Sequence, residues 1–219
     1  MGQEIDLLVD YPKTKRNLEE RLAAKNETDR AIARQFGREF FDGDRNQGYG
    51  GFNYMPRFWK PVVPTFQQYW QLTGSSSLLD VGCAKGFMLH DLAEQIPGIT
   101  VKGIDVSQYA IEHAMDDIKP HVQVANAIQL PFDNKTFDVV VSINTLHNLE
   151  RKECGQALQE IERVSRGKSF ITVDAYRNDK EQERMYAWNL TAKTIMSVDE
   201  WIVFFKEVGY TGDYFWFTP

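Results

Sequence analysis

The stretch Leu78-Leu79-Asp80-Val81-Gly82-Cys83-Ala84-Lys85-Gly86-Phe87 constrains the rest of the chain more than any other. Its short apolar start follows the flexible Gly74-Ser75-Ser76-Ser77 and predicts a strand buried inside a parallel sheet. Gly82 and Gly86 then flank a tight turn, and Phe87-Met88-Leu89-His90-Asp91-Leu92-Ala93 continues at helical spacing. Strand, turn and helix together put backbone N–H groups at the carboxyl edge of a sheet, where α/β folds bind nucleotides. Glycine suits such a turn because a Cβ would stand between backbone and ligand. By itself the pair would equally fit an ordinary strand-to-helix turn.

A second strand sharpens the case. Ile99-Thr100-Val101-Lys102-Gly103-Ile104 ends in Asp105, followed by Val106-Ser107 and a helix. An acidic residue at that tip is where such folds hydrogen-bond a ribose diol. The spacing G-x-x-x-G excludes a Walker loop, which closes on Gly-Lys-Ser/Thr, and departs from the G-x-G-x-x-G of dinucleotide enzymes.

With these residues in place the chain resembles the class I S-adenosylmethionine (SAM) methyltransferases. Residues 79–86 are similar to their first motif, with Ala84 where a third glycine is usual. Gly103-Ile104-Asp105-Val106-Ser107 resembles the ribose-binding motif. Ala125-Asn126-Ala127 with Leu130-Pro131-Phe132 resembles the adenine-side motif, with Asn126 where Asp is commoner, and its amide oxygen can still accept from an adenine amino group. Phe137-Asp138-Val139-Val140-Val141-Ser142 is similar to the fourth strand. Four motifs in order, over roughly residues 74–175, imply a SAM site that includes Asp80, Gly82, Lys85, Gly86, Asp105, Val106, Asn126 and Ala127.

From Leu78 onward, candidate strands (78–82, 99–104, 121–125, 137–143, 168–174) alternate with candidate helices (86–96, 107–118, 151–166). That alternation predicts an α/β, doubly wound, mostly parallel Rossmann-like sheet. A charged helix from Asn178 to about Ile195 would cross above the sheet edge. Ser197-Val198-Asp199-Glu200 predicts a capping box for a last helix reaching about Val208, before an aromatic strand from Tyr210 to Phe217. The family's sheet usually ends in an antiparallel hairpin, and only one of its two strands fits before Pro219. The expected division is residues 1–73 as an N-terminal helical lid and 74–219 as the SAM-binding domain with a helical insertion at about 178–195.

Within the lid, residues 1–17 are polar and expected to be loosely ordered. Asn26 would cap one helix running through Phe41, with Ile32, Phe36 and Phe40 on one face. The segment 42–54 interleaves four glycines with three aromatics, which suits either a mobile loop carrying rings such as Tyr49 and Tyr54 to a ligand or a turn with its rings tucked into the core. A helix over 56–70, limited or kinked by Pro61 and Pro64, would pack its aromatics onto the sheet. Arg57 and Lys85 are the cations best placed to hold the SAM carboxylate, unless they are surface charges.

A net charge of -6 and a pI near 5.3 leave no basic groove for nucleic acid. Cys83 and Cys154 form neither a disulfide framework nor a metal pattern, and Cys83 reads as a small buried residue. The histidines lack metal-ligand spacing, so no metal is expected. Without a long apolar run or signal peptide, a soluble cytoplasmic protein with a small-molecule substrate is expected.

The sulfonium of SAM would face the ends of the fourth and fifth strands, at Ser142-Ile143-Asn144-Thr145-Leu146-His147-Asn148 and Asp174-Ala175-Tyr176-Arg177. His147 is the obvious candidate for a general base by residue type, though its place three residues past the strand favours a position facing helix or solvent. Asn144, Tyr176 and the Ser142 backbone are the candidate catalytic groups, able to orient an amine by hydrogen bonds. A Tyr176 ring could also stabilise the sulfonium through a cation–π contact worth roughly 0.5–2 kcal/mol. Two enzymes fit: a methyltransferase with a small acceptor, or a cyclase in which SAM's own amine attacks its γ-carbon, releasing methylthioadenosine and azetidine-2-carboxylate. Residues 41–45, 48–51, 142–148 and 174–177 resemble those of the bacterial azetidine-2-carboxylate synthases, and that resemblance favours cyclisation. A SAM-binding regulator without catalysis is the third alternative.

Overall fold

A computed structural model describes residues 2–12, 27–44, 46–48 and 53–218. The sheet grows from β1 (Ser77–Val81), which pairs in parallel with β2 (Thr100–Asp105) on one side and β4 (Val139–Ile143) on the other. Beyond them lie β3 (Val122–Val124) and β5 (Ser169–Tyr176), giving the order β3-β2-β1-β4-β5. The chain winds outward from β1 to β3, then returns to β4 on the opposite flank. That reversal opens a crevice at the carboxyl ends of β1 and β4, the switch point where ligands bind in open α/β sheets.

Both faces of the sheet are covered, which is why its strands read as continuous apolar runs. On one face Leu79, Val81, Val140, Ile171 and Val173 pack under α7 (Arg151–Val164) and α9 (Val198–Val208). Helix α7 buries Ala157, Leu158, Ile161 and Val164, the stripe predicted from spacing, and α9 starts in the predicted capping box, with Ser197 and Glu200 each accepting the other's backbone N–H. On the other face Leu78, Val139, Val141 and Phe170 meet α4 (Val62–Trp70) and α5 (Phe87–Gln95). Helix α6 (Gln108–Glu112) is shorter than the predicted 107–118 and is capped by Ser107, whose hydroxyl accepts from Ala110 N. Helix α8 (Asp179–Trp188) follows β5. None of the helices among the described residues is long and apolar enough to cross a membrane.

The C-terminal edge departs from the family's antiparallel hairpin. β7 (Asp213–Phe217) runs parallel to β5 along Phe170–Asp174, while the two-residue β6 (Met196–Ser197) continues the same edge at Ala175 and Tyr176. Helix α9 carries the chain back before β7 begins, so the crossover returns it in the same direction. The outer edge of β7 is covered by the N-terminus rather than by another C-terminal strand: Ile5 N donates to Tyr214 O and Tyr214 N to Gln3 O. Leu7 is 2% exposed, and Arg177 pairs with Glu4. Gln3 to Ile5 thus complete the sheet's edge, which corrects the expectation of a loose N-terminus for residues 2–12, while residues 1 and 13–17 of that segment lie outside the described residues.

The lid helices are interrupted. In place of one helix through Phe41 there are α1 (Glu27–Ala33) and α2 (Arg38–Asp42), separated where Phe36 takes a left-handed φ of 48° just before Gly37. The Asn26 cap and Tyr49 to Phe52 of the glycine–aromatic segment lie outside the described residues. The predicted helix over 56–70 is divided into α3 (Pro56–Trp59) and α4, with Pro61 immediately before α4 where its missing N–H costs nothing.

Candidate active site

The turn after β1 is held in a shape few side chains tolerate. Gly82 and Gly86 have φ of 89° and 76°, and Ala84 between them has 49°. The N–H groups of Gly82 and Cys83 both donate to Ile104 O, pinning the turn to β2. A Cβ on Gly86 would stand 2.6 Å from Ile118 Cγ2, and one on Gly82 would overlap the Thr145 side chain. Cys83 is buried against Gly103, and burial keeps its thiol protonated, as its plain structural role implies.

Two carboxyls stand side by side under this turn. Asp105 is 8% exposed and accepts from Ala84 N through Oδ2 and from Ser107 N through Oδ1, each at 2.8 Å. Burial pushes its pKa up, against the pull of those N–H donors. Asp80 is buried too, and desolvation together with the Asp105 charge pushes it up to about 8. A carboxyl raised this way favours the folded state while protonated and loses that advantage as pH rises toward its folded value. Urea unfolding of wild type and Asp80→Asn should therefore diverge between about pH 4 and 8, wild type losing ~1.4 kcal/mol per pH unit relative to the variant. Parallel curves across that window would contradict the raised carboxyl.

Past Asp105, Val106 is 56% exposed and Val124, at the end of β3, is 44% exposed. Asn126 lies exposed one strand over, its Oδ1 accepting from Ile128 N at 3.1 Å, with Ala127 buried beside it. The cations are arranged differently from expectation. Lys85 is 6% exposed, and its Nζ donates to both oxygens of Asp42 at 2.7 Å. Arg57 is exposed with its guanidinium 5.0 Å over the Phe58 ring. Tyr54 turns to α5, donating to Asp91 Oδ1 at 2.6 Å with its ring against Phe87 and His90. His90, Asp91 and Glu94 offer ligand atoms within 4.8 Å of one another, a grouping the sequence spacing did not reveal. Each already has a partner, Asp117, Tyr54 and Lys60 respectively.

At the ends of β4 and β5 the candidate catalytic side chains point to separate partners. Asn144 takes φ 54°, a conformation Asn tolerates, and its Oδ1 accepts from Thr172 Oγ1 at 2.9 Å. Ser142 is fully buried and its hydroxyl donates to Val81 O, so its side chain serves the sheet. The Tyr176 hydroxyl meets Gln182 and Glu200, and its pKa is raised, first by burial and then by the Glu200 charge. His147 does not face solvent. It is 4% exposed, its Nδ1 accepts from Asp174 N at 3.0 Å, and burial holds its pKa down despite the Asp174 carboxyl.

Residues 78–168 match the family of methyltransferase domains. The fold is that of the class I SAM methyltransferases. An uncharacterized protein of Haemophilus influenzae is 30% identical over 146 residues, 61% of this chain and 57% of that protein. The 27-O-demethylrifamycin SV methyltransferase of Amycolatopsis mediterranei is 25% identical over 150 residues, 63% and 55% of the two chains. The chain thus spans little more than half of either relative's length. Among solved structures, the [4+2]-cyclase SpnF superposes with a TM-score of 0.55 at 22% identity, covering 68% of this chain and 56% of that one.

SAM is the cofactor that goes with a methyltransferase domain, and the residues at the switch point fit it. The exposed Val106 offers apolar surface to a flat base, and the Asp105 carboxylate keeps acceptor capacity beyond its bonds from the backbone N–H groups of Ala84, Val106 and Ser107. The glycine positions leave a cradle that a Cβ would fill. The fit is weaker at the methionine end, because Lys85 is committed to Asp42 and is not the open cation expected there.

Proposed function

We propose that the chain transfers the methyl group of SAM to a small-molecule acceptor. The carrying observation is the methyltransferase-domain match over residues 78–168, which runs from β1 through the glycine turn and β4 to the residue before β5. The rifamycin-modifying relative, itself a methyltransferase on a small molecule, supports the same assignment.

SAM supplies an electrophilic methyl on a sulfonium. Asp105 binds the ribose hydroxyls, Val106 and Ala127 border the adenine, and Asn126 offers its amide oxygen to the adenine amino group. Arg57 is the remaining candidate for the carboxylate. The acceptor enters at the ends of β4 and β5, where Asn144 and the Tyr176 ring border the approach and limit the poses in which its lone pair meets the methyl–sulfur bond in line. His147 is not the base in this scheme, since it is buried and its Nδ1 is occupied by Asp174 N–H.

Intramolecular cyclisation is the less supported alternative. It asks the Asn144 and Tyr176 side chains to converge with the Ser142 backbone on one amine, whereas those two side chains engage Thr172 and Glu200 with Gln182. Purified protein should leave SAM unchanged when it is the sole substrate, and yield S-adenosylhomocysteine when a panel of small amines, phenols and carboxylic acids is added. Methylthioadenosine and azetidine-2-carboxylate from SAM alone would overturn the proposal in favour of the cyclase. SAM binding with no product under either condition would favour a regulator.

A further inference from the structure

We propose that Asp42 is a positioning residue that clamps the N-terminal lid across the adenosine end of the SAM site. The inference rests on the switch point being that site. Asp42 closes α2, and its carboxylate accepts two bonds from Lys85 Nζ at 2.7 Å and one from the Tyr109 hydroxyl at 2.6 Å. Lys85 belongs to the glycine turn after β1, and Tyr109 to α6, which begins just past Asp105 and Ser107. One carboxylate therefore ties the lid to both elements that flank the ribose position.

The bond is built for strength rather than for solubility. The Lys85 side chain is 8% exposed and that of Asp42 29%, so the ammonium is shielded while the carboxylate stays partly open to solvent. A buried ammonium is costly without a partner, and charge-assisted bonds to one carboxylate offset that cost. Further contacts reinforce the closure. Ser107 Oγ donates to Phe36 O at 2.5 Å, and the Phe41 ring stacks on Tyr109 with centroids 6.5 Å apart. Ala33, Phe40 and Phe41 also bury against Ala84 of the turn, Ala110 of α6 and Leu190. Ala84, rather than a third glycine, gives the turn a methyl that the lid can cover.

A lid fixed at these points covers the nucleoside and slows its escape, without touching the reacting atoms. Asp42→Asn keeps the shape and removes the charge. The expected results are faster amide exchange over residues 27–44 in the ligand-free protein, and release of SAM or S-adenosylhomocysteine accelerated on the order of tenfold. Asp42→Glu should recover part of the slow release, and Tyr109→Phe, which deletes one bond only, should give a smaller acceleration. Because opening of the lid returns Lys85 to solvent, the urea midpoint of the sheet domain should fall only slightly below that of wild type. If wild type binds SAM and both Asp42→Asn and Tyr109→Phe release it at the wild-type rate, the clamp is overturned. If wild type does not bind SAM, the assignment of the site fails instead, and the ligand-free exchange still decides whether Asp42 holds the lid. Should Asp42→Asn not fold, Tyr109→Phe carries the test alone, unchanged exchange and release overturning the proposal.

Discussion

Asp105→Ala should weaken SAM binding by two orders of magnitude or more and lower folding stability at the same time. Two charge-assisted bonds to ribose hydroxyls contribute roughly 1.5–3 kcal/mol each, and alanine can make neither. From the ribose motif alone the fold would be expected to survive the change intact. The structure adds a second role, because the same carboxylate accepts from the N–H groups of Ala84 and Ser107. Left without acceptors in a nearly buried position, each costs about 1–3 kcal/mol. Asp105→Asn, which keeps one oxygen, should be intermediate in both respects. Titration calorimetry measures the affinity and urea unfolding the stability. An Asp105→Ala protein that binds SAM as tightly as wild type would remove Asp105 from the site.

Gly82→Ala should destabilise the fold by ~2–5 kcal/mol, combining the left-handed backbone penalty with steric overlap. The overlap is with the Thr145 side chain, which lies where a Cβ would go. Adding Thr145→Gly should return about the overlap component and leave the backbone penalty of ~1–2 kcal/mol. Gly209→Ala provides the control: Gly209 has a φ of 75° but no heavy atom within 4 Å of the place its Cβ would take, so only the backbone penalty applies. Thermal unfolding of the three variants measures the difference. Equal losses for Gly82→Ala and Gly209→Ala would show that Thr145 yields to the extra methyl, and that the close approach of β4's outgoing loop to the glycine turn does not constrain the site.

The strand, glycine turn and helix at residues 77–95 were legible because each signal is local. A short apolar run marks a buried strand, glycines permit the positive φ of the turn, and helical spacing continues from Phe87. The α9 capping box was legible for the same reason, since its two side chains and two N–H groups lie within four residues. The break in the lid helix was less visible, because Phe36 itself, not the neighbouring glycine, takes the left-handed conformation.

Beyond such local patterns, packing decided the outcome. The direction of β7 follows from how α9 crosses the sheet, and the covering of its edge by Gln3 to Ile5 joins residues some two hundred positions apart. Strand ends could be assigned to Asn144 and Tyr176, but not the partners that turned their side chains toward Thr172 and Glu200. Lys85 looked from its position like a cation open to a ligand, yet Asp42, 43 residues away, holds it. The sequence by itself therefore determined the sheet's central strands, the glycine turn at its switch point and the acidic residue at the tip of β2, since backbone conformation and burial are written in neighbouring residues. Only the tertiary structure decided which charges are paired and which polar groups are spent, because those pairings depend on segments that meet only when the chain folds.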